Sequence, residues 1–88
     1  MEIESDNAIV APTININGTS KEELYSQFRT VADTLQDAMR ALAQCSPHGR
    51  DYPLDNEFRL AREQYNKRAH MLREIYDEIV NIWQQIDS

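Results

Sequence analysis

Cys45-Ser-Pro-His-Gly-Arg-Asp-Tyr-Pro-Leu-Asp55 is the stretch on which the fold turns. Pro47 disfavours helical geometry in the residue before it, Gly49 suits a turn, and Pro53 repeats the interruption. No helix runs through such a segment. The flanks therefore have to be read as two separate elements joined here.

On the N-terminal side Leu24, Phe28, Val31, Leu35, Met39 and Leu42 recur three or four residues apart, one stripe down a helical face. This predicts a helix over 20–44. Ser20 with Glu23 three residues later has the capping-box pattern, and Gly18 is expected to take backbone angles closed to other residues. Asn17-Gly18 would also suit a hairpin turn, but only one of its flanks is strand-like, so the helix start is preferred. Asn17-Gly-Thr19 has the glycosylation spacing, which is set aside because nothing marks the chain for secretion.

On the C-terminal side Asp55 or Asn56 can cap a helix over 56–86. Its heptad-like stripe is Phe58, Tyr65, Leu72, Ile79 and Ile86, with Ala61, Ile75 and Ile82 between them and Arg68 interrupting. The last third, from Ile75 to Ile86, is apolar over too wide an arc for one partner helix. It wants a second partner.

Ahead of the first helix, 1–8 reads as a flexible acidic tail and 9–19 as an extended arm or short strand, because Thr13 to Asn17 alternates polar and apolar. The arm either pairs with its copy in another subunit or lies along the helices with Ile14 and Ile16 tucked in. The expected fold is all-α: an antiparallel two-helix hairpin over 20–88 with a short extended N-terminal arm. The longer second helix overhangs near Trp83 and Ile86, beside that arm. An 88-residue chain makes only a small core by itself, so a homo-oligomer is expected, a dimer forming a four-helix bundle or a higher ring of hairpins.

With 41% hydrophobic residues and little glycine or proline, the composition is that of a chain that folds. No run approaches the roughly 18 apolar residues of a membrane span, and the acidic start is unlike a secretory signal, so a cytosolic protein without a membrane partner is expected. Cys45 alone excludes an internal disulfide, and it reads as a small buried residue at a helix end. His48 and His70 have no metal-ligand spacing, and no serine or cysteine has an evident base. Neither metal, cofactor nor catalysis is expected.

The net charge of −6 is unevenly spread: between Arg59 and Arg73 five cations face only Glu63, a local +4 with acid on either side. An anion site can be drawn from three groups. Asn17, Gly18, Thr19 and Ser20 open a helix, whose N–H groups and dipole favour phosphate. Arg50, Asp51 and Tyr52 sit in the proline-bounded joint, with Tyr52 placed to stack on a base; Arg59, Arg62 and Arg68 add charge. The first two groups fall at opposite ends of one hairpin, so a combined site has to lie between subunits. The plainer reading is a solvated face: Arg59–Glu63 and Arg73–Asp77 pairs along the helix, Asp33 and Asp37 opposite Lys67 and Arg62, and an Arg50–Asp51 salt bridge pinning the joint.

Ile14-Asn-Ile-Asn-Gly-Thr-Ser20 and Pro47-His-Gly-Arg-Asp-Tyr-Pro53 together resemble a set of short tailed-phage proteins of unassigned role. These have an I-N-G-T-S segment before a helix, a P-x-G-R-D-Y turn and then a long charged helix, and many carry a second tyrosine where this chain has Pro53. The resemblance implies a phage origin and the host cytoplasm. By analogy with small oligomeric phage proteins that counter host defences, it implies a signal sponge: a non-enzymatic homo-oligomer holding a nucleotide-derived immune signal between subunits. The alternative expectations are a protein-binding inhibitor of a host defence enzyme or CRISPR effector, or a small virion or assembly protein. The acidic flanks argue against binding duplex nucleic acid.

Overall fold

The computed structural model describes residues 8–87. The acidic tail expected over 1–8 lies outside that range, Ala8 apart. Two α-helices account for most of the described chain: α1 over Lys21–Ala43 and α2 over Asp55–Asp87, with a 3-10 turn at Gly49–Asp51 between them. Among the described residues there is no strand.

Local chemistry explains the helix bounds. Ser20 caps α1, its hydroxyl accepting from the Glu23 N–H at 3.1 Å while donating to Glu23 Oε1 at 3.4 Å. Glu22 and Glu23 lie in the first turn and Arg40 in the last, both complementary to the helix dipole. At the far end Gln44 and Cys45 donate to the Ala41 and Leu42 carbonyls in a tightened last turn. The joint is then held by backbone bonds from Asp51 N–H to His48 and from Tyr52 N–H to Gly49. No Arg50–Asp51 ion pair forms, because the bonds of the 3-10 turn already fix its shape.

The start of α2 departs from expectation. Leu54, not Asp55 or Asn56, offers the first carbonyl, accepting from the Phe58 N–H at 3.0 Å, and Asp55 is already helical. Asp55 and Glu57 act instead as first-turn acids.

The two helices run antiparallel. Tyr25 near the start of α1 packs on Trp83 near the end of α2, their rings 5.3 Å apart, while Leu42 and Tyr65 line one cavity beside the joint. The apolar stripes face each other, but with two corrections. Ala32 is the buried residue of α1 and Val31 is 41% exposed; on α2, Tyr76 turns inward and Ile75 is 51% exposed. A heptad reading advances 3.5 residues per turn and a straight helix about 3.6, a drift of about 20° per heptad, so spacing alone does not choose between adjacent positions at the edge of the stripe.

Within the chain the arm lies beside the end of α2 and forms no strand. Ile9 and Ala11 turn inward, and the Ile9 carbonyl accepts from Gln85 Nε2 at 3.3 Å. Ile14 and Ile16, which one of the two expected arrangements tucks in, are 44% and 97% exposed. Asn15 is the reason: its Oδ1 accepts from the Asn17 N–H and its carbonyl from the Gly18 N–H, folding the alternating segment into a turn. Gly18 is not left-handed. A Cβ there would lie 3.2 Å from the Asn15 amide, so glycine serves close approach.

The result is thin. Only Ala32 and Ile86 are buried among the described residues, and the radius of gyration is 18.2 Å, against about 12 Å for a compact domain of this length.

Candidate functional site

Two hollows lie at opposite ends of the hairpin. At the open ends of the helices, Lys21, Glu22, Tyr25 and Asp87 line about 280 Å³. Its two carboxylates oppose an anion. At the joint, Leu42, Cys45, Pro47, Tyr52, Ala61, Gln64, Tyr65 and Arg68 line about 350 Å³, at the small end of the range for ligand sites.

The joint cavity arises from the sequence directly. Pro47 and the 3-10 turn carry the chain away from α1, and Ala61, small at a position facing Leu42, leaves room. Tyr65 and Arg68 stand one turn apart on α2 and bound the space on one side. Tyr52 closes it, its ring 6.4 Å from Phe58. Cys45, expected to be buried, is exposed here, with Sγ 3.9 Å from the Ala41 carbonyl. The helix ends before Cys45 can reach the interface.

Each cation of the 59–73 segment has its own fate. Arg59 pairs with Glu63 at 3.0 Å and Arg73 with Asp77 at 3.2 Å. Arg62 lies over the Phe58 ring at 5.6 Å. Asp33 and Asp37 do not cross to α2; they pair with Arg29 and Arg40 on their own helix, at 3.7 and 2.6 Å, because a neighbour one turn away is within reach of short side chains. Lys67 and Arg68 are left without an ion pair among the described residues.

The structure thus brings Tyr52 and Arg68 together in one cavity. Arg50 and Asp51 are exposed on the adjoining turn, and Arg59 and Arg62 are engaged elsewhere. Asn17 to Ser20 lie at the other end of α1, about 34 Å away for 23 helical residues. There the Asn17 and Gly18 N–H groups already serve the Asn15 turn, and the Ser20 hydroxyl serves the cap. No family model, curated protein or solved structure matches the chain.

Sequence reasoning passed over Cys45, Gln64 and Tyr65 as cavity residues. Tyr65 stands in the apolar stripe, and only its polar hydroxyl, beside Gln64 and Arg68, distinguishes it from core. Two further observations bound the chemistry. Among the described residues no three His, Cys, Asp or Glu side chains stand close enough to hold a metal, and no helix is long and apolar enough to cross a membrane.

Proposed function

We propose that this chain is a non-enzymatic binding protein that captures and sequesters a nucleotide-derived signal, acting as a phage anti-defence protein in the host cytoplasm. The observation that carries this reading is Arg68: a guanidinium without a carboxylate partner, lining a cavity with Tyr52 and Tyr65. A planar cation lining one cavity with two aromatic side chains suits a ligand with a phosphate at one end and a base at the other. Arg50 on the adjoining turn adds charge at the rim. The resemblance of Ile14–Ser20 and Pro47–Pro53 to short phage proteins directs the choice of ligand toward immune signals.

Native mass spectrometry of the full chain with cyclic oligonucleotides and ADP-ribose derivatives tests it. A retained ligand, with affinity lowered by roughly 10- to 100-fold in Arg68→Ala, is the expected result, since a charge-assisted hydrogen bond contributes about 1.5–3 kcal/mol. Arg59→Ala, which removes a cation already paired with Glu63, should change binding little. Failure of every member of the panel to bind would sink the reading. The inhibitor or virion reading draws instead on the exposed apolar residues of α2, and a host protein shifting the melting temperature where small molecules do not would favour it.

A further inference from the structure

One face of α2 is built for something the hairpin does not contain. Leu60, Met71 and Ile75 are 44%, 55% and 51% exposed, and Val31 of α1 is 41% exposed. The stripe runs Leu60, Gln64, Lys67, Met71, Ile75, Glu78, Ile82. Leu60, Met71 and Ile82 are spaced by eleven residues, and so are Gln64 and Ile75. An eleven-residue period returns almost to the same angle after three turns, so this face stays straight along the helix. At about 100° per residue it lies roughly a third of a turn from the face that meets α1. Tracing both helices in opposite directions puts Val31 on the same side of the hairpin.

Charge says what covers it. Lys67 and Glu78 are also eleven residues apart on this stripe, one on each side of the Met71–Ile75 pair. Neither has an ion-pair partner among the described residues, whereas Arg59–Glu63, His70–Glu74 and Arg73–Asp77 pair one turn apart on the same helix and Arg68 lines the joint cavity. Two copies laid antiparallel about a twofold axis between Met71 and Ile75 bring Lys67 of each against Glu78 of the partner subunit, with Met71 against Ile75 between them. A parallel arrangement sets lysine on lysine and glutamate on glutamate. The surface of 6906 Å², above the roughly 5,400 Å² of a compact monomer of this mass, has area to give to such a contact.

We infer that this face docks a second copy of the chain, α2 antiparallel to α2, with Lys67–Glu78 contacts at both ends of a Met71–Ile75 centre. The twofold axis preserves the side on which α1 lies, so both α1 helices flank the same side of the α2 pair, with Val31 turned toward the groove between them. It also sets the joint of one chain level with the start of α1 in the other. The inference adds an intersubunit contact to the anion-site reading, but it stands on the stripe and not on that ligand.

Native mass spectrometry and light scattering on the full chain test it. The wild type is expected to be dimeric at micromolar concentration. Lys67→Glu and Glu78→Lys each turn two attractive contacts into repulsive ones and should weaken the dimer on the order of tenfold. Mixing the two variants should restore it as a heterodimer, in which both contacts are again opposite in charge. Met71→Glu with Ile75→Glu should give monomers that keep their helical circular dichroism, these side chains being exposed in the hairpin. A monomeric wild type overturns the inference and gives the face to a different protein. So does a dimer unmoved by the glutamate pair, or a mixture no tighter than its components. An oligomer that ignores these variants yet binds a cyclic oligonucleotide would overturn this interface alone; a dimer that obeys them and binds none of the panel would overturn only the ligand.

Discussion

The two ends of this hairpin are made of similar residues and are finished differently. At the open end Trp83 packs on Tyr25, Ile86 is 4% exposed, and the arm comes across to take a hydrogen bond from Gln85 onto the Ile9 carbonyl. At the joint the described residues supply no third segment, and Leu42, Tyr52 and Tyr65 are left half-open around a cavity. A third piece of chain is enough to turn a helix pair into a small core, and its absence is enough to leave a site. Packing at the open end is not free of cost: Trp83 Nε1 is buried without a hydrogen-bond partner among the described residues, with the Arg29 guanidinium 5.5 Å over the ring.

The contrast breaks if truncations of similar size cost the same at both ends. Ile86→Ala should destabilise by about 3 kcal/mol, a fall in Tm of more than about 10 °C by circular dichroism at fixed protein concentration. Leu42→Ala at the joint should cost roughly half as much, because that side chain is only partly removed from water to begin with. A smaller effect sharpens the same contrast. Ser20→Ala removes the cap that begins α1 and should cost about 1 kcal/mol, read in the same melting experiment. The smallest expected change is at the joint itself. Gly49 has open space around its Cβ position and no left-handed angle, so Gly49→Ala should be neutral or stabilise by up to about 0.5 kcal/mol. A clear destabilisation would mean that the joint is more tightly made than its contacts indicate.

Much of this architecture is written in the order of residues, and the exceptions have identifiable causes. Helices over 20–44 and 56–86 become Lys21–Ala43 and Asp55–Asp87, because Pro47, Pro53 and Ser20 act locally and need no tertiary context. What periodicity could not give is rotation. Val31 and Ala32, or Ile75 and Tyr76, are neighbours in sequence, and which of each pair faces inward depends on accumulated twist along the helix. The Thr13–Asn17 alternation misleads for a different reason, since one asparagine satisfying backbone groups outweighs a weak strand pattern without a partner strand. At the candidate site, charge and aromatic content made Tyr52 and Arg68 visible. Whether a given arginine was free depended on which carboxylate stood one turn away.

The Gln85–Ile9 bond has a consequence in time. It joins residues 76 apart in sequence, whereas Leu42 and Tyr65 beside the joint are separated by less than a third of that. Closing the short loop costs less chain entropy, so the hairpin should zip from its loosest region outward and seal its best-packed end last. Interactions made that late are absent from the transition state. The Ile86 end therefore governs how slowly the protein comes apart, while the speed at which it first assembles is set at the joint.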